Sequence, residues 1–277
     1  MSTVVFWSPV NGRGTSSHLI LSALMITLTH HVRVLSMHMN KNGDSIEAAL
    51  PVREESMDHM TNIFTITGWD ALLRLHLSGN LTRDKFRDYT VPLSRQLDLL
   101  PGARVQSSLD VNEEYAKYIP SVLKTASEVY DLVMLDAGNR DRMERDMMKD
   151  ADVVVVNLDQ NLRVLENYFG DTELKEQLES KKVIVTVGQY DADSHCTVNN
   201  IKRRFNYKHP VVAVPYCTEF KDAWNRRDVP SYLQQNMNLD KKNGQRGEHA
   251  SSIRELAKCI MDNAGLRTIL KQLERGA

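Results

Sequence analysis

The chain is 277 residues long, enough for one large domain or two small ones with a substantial core. Its 35 Lys+Arg and 36 Asp+Glu leave a formal charge of −1, so no overall basic field points to a nucleic-acid partner. The three cysteines, Cys196, Cys217 and Cys259, lie far apart without metal-ligand spacing and read as reduced thiols.

In chain order, Val4-Val5-Phe6-Trp7 predicts a strand that stops at Ser8-Pro9. Asn11-Gly12-Arg13-Gly14 then makes a glycine loop, and Thr15-Ser16-Ser17 opens an apolar, helix-like segment from Leu19 to Leu28. Strand, glycine loop and helix N-terminus together form an anion site, because backbone N–H groups converge there and the helix dipole favours negative charge. The candidate binding residues are therefore Asn11, Gly12, Arg13, Gly14, Thr15, Ser16 and Ser17, with a nucleotide phosphate as the usual guest. The P-loop pattern G-x-x-x-x-G-K-[ST] is not fully met: with Gly14 as second glycine, the first falls on Pro9, the lysine on Thr15 and the hydroxyl on Ser16. The missing lysine removes a charge-assisted contact of about 1.5–3 kcal/mol, or roughly ten- to a hundredfold in affinity. Hydrolysis suffers more, since charge on the transferring phosphoryl group then lacks a fixed cation.

A second strand is predicted at His31 to His38, a polar loop at Asn40 to Asp44, and helices at Gly68 to Leu77 and Arg83 to Tyr89. Leu97 to Leu100 reads as a strand ended by Pro101-Gly102, and Asn112 to Ser127 as a helix. Tyr130 to Gly138 is an apolar run that delivers Asp136 at the C-terminal edge of a buried parallel strand. In P-loop enzymes such a carboxylate helps hold magnesium, which makes Ser16 and Asp136 the candidate metal residues; the plainer reading is a strand ending at an N-capping aspartate. Further strands are predicted at Ala151 to Leu158, Lys182 to Val187 and Pro210 to Pro215, with helices at Arg140 to Lys149, Leu162 to Glu179 and through Ile201 to Phe205. Asp240 to His249 reads as a charged, mobile loop before C-terminal helices at Ser251 to Asn263 and Leu266 to Arg275. The last carries an apolar stripe with Arg267, Lys271 and Arg275 around it; this packs on its own domain or, as a second reading, lies on an anionic membrane surface. The alternation predicts one doubly wound α/β domain over residues 1–277, a mostly parallel sheet of roughly seven or eight strands with helices on both faces. No secretory leader pattern precedes the first strand and no apolar run reaches the roughly 18 residues of a spanning helix, so a cytoplasmic protein is expected.

These residues resemble the ParA/MinD superfamily of deviant P-loop ATPases, and within it the TadZ/CpaE-like pilus and secretion branch. The family loop K-G-G-x-G-K-[ST] aligns with Val10-Asn11-Gly12-Arg13-Gly14-Thr15-Ser16, the L-x-x-L-P-G motif with Leu97 to Gly102, and Y-D-x-V-I-x-D with Tyr130 to Asp136. The resemblance implies a P-loop NTPase fold, ATP or ADP with Mg2+ as ligand, a homodimer, and protein partners such as a pilus or secretion complex with recruitment to the membrane or cell pole.

Both family lysines are absent here: the one that reaches the partner's nucleotide is Val10 and the P-loop lysine is Thr15. The two family aspartates after the second strand are His38 and Asn40. What is kept is Gly12, Gly14, Ser16 and Asp136, with Arg13 as the one cation in the loop, although a loop-tip arginine is more often simply solvated. Residues for hydrolysis and dimer closure are lost while those for loop shape remain. The expectation is a nucleotide-binding or pseudo-ATPase positioning factor with weak or absent hydrolysis and no assigned catalytic residue. Two alternatives stand beside it: an active ATPase using Arg13 and a partner's cation, and a nucleotide-free protein-interaction module. A DNA-partitioning role rests only on Lys202-Arg203-Arg204 and Arg226-Arg227.

Overall fold

The fold is described from a computed structural model that covers residues 2–38, 46–51, 67–102, 111–138 and 147–266. At its centre is strand β1 (Ser2–Trp7), buried along its whole length. A strand covered on both faces has no polar side, which is why Val4 to Trp7 is a continuous apolar run. Val4 and Phe6 enter the core on one face of the sheet, Val5 and Trp7 the core on the other.

The chain then forms α1 (Thr15–Thr29), β2 (Val34–His38), α2 (Trp69–Leu77), a short α3 (Arg83–Phe86), β3 (Val91–Pro92), β4 (Leu97–Leu100), α4 (Val111–Val129) and β5 (Leu132–Gly138). The second half alternates β6 (Val153–Leu158), α5 (Leu162–Gly170), α6 (Thr172–Leu178), β7 (Lys182–Tyr190), α7 (Val198–Arg204), β8 (Val211–Pro215), α8 (Thr218–Asn225), α9 (Val229–Asn236) and α10 (Gly244–Asn263). The sheet has eight strands in the order β3-β4-β2-β5-β1-β6-β7-β8. All pairs are parallel except β3 with β4, a hairpin at the edge in which Pro92 sits where no inner ladder needs its missing N–H. The expected doubly wound, mostly parallel sheet is therefore present.

From β1 the chain crosses through α1 to β2 on one side, and from β6 it proceeds to β7 on the other. The reversal lies between β1 and β6, and loops at the C-terminal ends of such strands open a crevice there. Helix α1 is buried from His18 to Thr27 because it is clamped between the sheet and α10. That explains a helix apolar nearly all round.

Four local expectations change. The predicted helix Leu162 to Glu179 is two helices, broken at Gly170-Asp171, where Asp171 caps α6 by accepting Leu174 N–H at 2.9 Å. Val229–Asn236, unassigned in the sequence reading, is helix α9 with proline in its first turn. The strand predicted to end at Val187 continues to Tyr190 through an irregularity at Gly188-Gln189. Asp240 to His249 is not a mobile loop. Asp240 and Asn243 form a reciprocal capping box, and α10 starts at Gly244. Gly247 lies against the turn so closely that a Cβ there would fall 1.8 Å from the Asp240 carbonyl oxygen. Charged composition suggested solvent; capping chemistry decided the outcome. The predicted loop Asn40 to Asp44, most of the helix Arg140 to Lys149 and all but the first residue of the helix Leu266 to Arg275, with its membrane reading, lie outside the described residues.

Candidate functional site

The loop from Ser8 to Gly14 leaves the C-terminal end of β1. Ser8 is buried, its Oγ 2.7 Å from the carbonyl oxygens of both Val10 and Asn157, which ties the start of the loop to the end of β6. Gly12 (φ 75°) and Gly14 (φ 87°) occupy the left-handed region open to glycine, and this bends the chain into the helix. Gly14 is the N-cap of α1, and no side chain caps that helix end. Asn11 and Gly12 are exposed, while Arg13 to Ser17 are half-buried at the helix start. All seven predicted binding residues thus lie on one continuous loop and first turn.

Ser16 and Asp136 are brought together across the sheet. Asp136 is completely buried near the end of β5, in register with Phe6 of β1 and His38 of β2, and accepts a hydrogen bond from the Ser16 hydroxyl. A hydroxyl and a carboxylate are the hard oxygen donors that magnesium takes beside phosphate oxygens. Among the described residues no group of three or more His, Cys, Asp or Glu side chains forms a metal site by itself.

Sequence reasoning missed the floor beneath the loop. Asn157 on β6 donates from Nδ2 to the carbonyls of Trp7 and Val155, each at 3.1 Å, so its Oδ1 is the acceptor. That oxygen takes Thr186 Oγ1–H at 2.8 Å and lies 2.7 Å from His18 Nδ1, which must therefore carry a proton. Burial pushes the His18 pKa down to about 4, opposed by the Asn157 hydrogen bond, so the ring is the neutral Nδ1–H tautomer. The ring packs under the glycines: a Cβ on Gly14 would meet it at 3.0 Å, and one on Gly188 at 3.3 Å. Gly188 also lies so close to the Arg13 carbonyl oxygen that a Cβ would fall 2.9 Å from it. The available signal was polarity out of place, an Asn ending the Val153 to Val156 run and a His inside an apolar helix.

Arg13 forms an ion pair with Asp159, just past β6, at 3.0 Å from Nε to Oδ2. With Gly12, Gln160, Asn161, Gly188 and Gln189 these residues line a cleft of about 210 Å³ at the sheet reversal. Gln189 sits in the left-handed region at φ 49°, within the β7 irregularity. His38 is buried, with Nε2 2.5 Å from Glu47 Oε2 and its carbonyl accepting Trp69 Nε1–H at 2.9 Å. It is turned toward a carboxylate of its own chain. Asn40 lies outside the described residues.

Elsewhere, Trp7 and Trp69 are core residues and Trp224 is half-buried. In the basic cluster, Arg204 pairs with Glu166 at 2.7 Å and Arg203 bonds Asn200 Oδ1 at 3.1 Å. All three cysteines are free. No helix among the described residues is long and apolar enough to cross a membrane.

An eight-stranded doubly wound sheet with a glycine loop after its central strand is the fold of the ParA/MinD P-loop NTPases, and solved structures of that group match it over nearly the whole chain. A ParA family ATPase from Chlorobium tepidum TLS superposes with a TM-score of 0.68 at 14% identity, covering 93% of this chain and 98% of that one. The septum site-determining protein MinD from Pyrococcus horikoshii OT3, solved with Mg-ADP, gives 0.66 at 14% identity, covering 96% and 98%. MinD in a MinC:MinD complex from Aquifex aeolicus gives 0.66 at 15% identity, covering 95% and 96%. No protein-family model and no curated protein matches the sequence.

Proposed function

We propose that the chain is a nucleotide-binding positioning or assembly factor that holds the phosphates of ATP or ADP on the loop Asn11 to Ser17 and turns nucleotide over weakly or not at all. The observation that carries this reading is the Ser16–Asp136 hydrogen bond beneath a loop whose glycines adopt left-handed geometry at a helix start without a side-chain cap. Magnesium, when bound, would be held by Ser16 and Asp136 together with phosphate oxygens, and would neutralise phosphate charge. Weak turnover is supported by Val10 and Thr15 at the two lysine positions and by His38 facing Glu47. With few groups left to stabilise a transferring phosphoryl, the output of binding is a surface that protein partners read. A homodimer and a pilus or secretion complex are the partners proposed from the sequence resemblance, with peripheral membrane contact as a further element of it.

The experiment is thermal melting with ATP, ADP and GTP, with and without magnesium, alongside steady-state hydrolysis. A ligand that binds only the native state raises the melting temperature by mass action. A magnesium-dependent rise that Asp136→Ala and Gly14→Asp abolish, with negligible turnover, is the expected result. Rapid ATP hydrolysis lost in Asp136→Ala would replace this reading with an active ATPase. No shift at millimolar nucleotide would leave the protein-interaction module, which the prior engagement of Arg13 by Asp159 favours as second reading.

A further inference from the structure

We propose that Asp159 sets the affinity and charge selectivity of the phosphate loop: its carboxylate is a built-in anion that holds Arg13 and that an incoming phosphate must displace. The inference rests on the reading that residues 11–17 bind phosphate. Arg13 is the only cationic side chain between Ser8 and Ser17, so whatever occupies it controls the fixed charge of the loop.

The carboxylate is presented by a braced segment. Asp159 Oδ1 accepts the Asn161 backbone N–H at 3.2 Å, leaving Oδ2 for Arg13. Next to it, Gln160 donates to the carbonyls of Asp191 and Cys196 at 2.9 and 3.0 Å and accepts from Asp191 N–H at 2.8 Å. Asn161 in turn caps α5. On the other side, Gly188 lies against the Arg13 carbonyl, which fixes the loop at that residue. The pair spans the reversal between β1 and β6 inside the cleft, where a polyphosphate on the loop would lie.

A second observation marks the pair as exchangeable. The Arg13 Nε is buried and makes no aligned hydrogen bond, although the carboxylate is 3.0 Å away. The contact is a Coulombic one that leaves a buried donor unsatisfied. A phosphate oxygen in line with that donor supplies the missing hydrogen bond, and a polyphosphate brings more charge than one carboxylate. The loop therefore admits di- and triphosphates, which outcompete Asp159, and turns away singly charged anions, which do not.

The test is calorimetric titration of the full chain with Mg-ATP and with inorganic pyrophosphate, for the natural sequence, Asp159→Asn, Arg13→Gln and the double variant. Asparagine keeps the oxygen that accepts Asn161 N–H. Asp159→Asn is expected to bind both ligands about tenfold tighter, and the gain is expected to vanish in the Arg13→Gln background. An unchanged or weaker affinity for Asp159→Asn overturns the proposal, as does a gain that persists without Arg13, because that would be general charge relief. Failure of the underlying reading looks different. If Asp159→Asn changes nothing while Gly14→Asp abolishes binding, the phosphate loop stands and the role of Asp159 falls; if none of the four proteins binds either ligand, both fall.

Discussion

A histidine inside an aliphatic helix costs desolvation unless its ring is held, and His18 is held by one amide. Asn157 thereby joins β1, β6, β7 and α1 through four hydrogen bonds, to Trp7, Val155, Thr186 and His18, directly under the glycine loop. Replacing it with leucine of similar size removes all four of these hydrogen bonds and leaves His18 and Thr186 only the longer contacts of Thr186 to His18 Nδ1 at 3.4 Å and to the Val156 carbonyl at 3.5 Å. Asn157→Leu should lower unfolding free energy by about 2–4 kcal/mol, against about 1 kcal/mol for Thr186→Val, both read from urea titrations. At the loop itself, Thr15 is half-buried and stands at the P-loop lysine position. Thr15→Lys should raise Mg-ATP affinity about tenfold in a calorimetric titration, since only a side chain changes. An unchanged affinity would mean that phosphate does not sit at this helix end.

Among the elements, α10 depends on a glycine for its start. Gly247→Ala should cost at least about 2 kcal/mol by urea unfolding, because a methyl there overlaps the Asp240 carbonyl. The same helix carries His249, buried, stacked on Phe220 and 3.0 Å from the Tyr232 hydroxyl, which itself lies 3.4 Å from Cys217 Sγ. Burial pushes the His249 pKa down from 6.5 to about 3, and repulsion from His18, once that ring too is protonated, adds a smaller push in the same direction. The unfolded chain then takes up a proton that the folded one refuses. This contribution to stability is complete above pH 6.5 and is lost as pH falls toward 3, with a slope near 1.4 kcal/mol per pH unit. His249→Phe should make the dependence of the urea midpoint on pH between 4 and 6 shallower, leaving the share that the buried His18 contributes over the same range.

The element scale also explains what the sequence could disclose. Strands such as β6 carry uninterrupted apolar runs, here Val153 to Val156, and glycine and proline punctuate the chain between them, so the strands and their parallel class were legible. The place of the loop after β1 and of Asp136 near the end of β5 was legible because each closes an apolar run. Asp159, Gln160 and Gly188 were not, because they meet Arg13 only after β6 and β7 have been laid beside β1. Asp240 to His249 is charged like a loop, but the Asp240–Asn243 cap closes its turn and starts a helix at Gly244.

Across the whole molecule, two apolar layers sandwich one sheet, and the inner strands β5, β1 and β6 have partners on both edges. Their amides should exchange with deuterium only on global unfolding, whereas those of the edge strands β3 and β8 should exchange earlier. An exchange map with β1 among the early amides would contradict this packing. The walls of the cleft come from the ends of β1, β6 and β7, and each leans on another: Arg13 on Asp159, the Arg13 carbonyl on Gly188, Gln160 on the segment past β7. Braced in this way, the described walls need no rearrangement of their own before a ligand enters. In stopped-flow mixing, a fluorescent nucleotide should associate in one exponential phase whose rate rises linearly with concentration, and differences between variants should appear in how long the nucleotide stays.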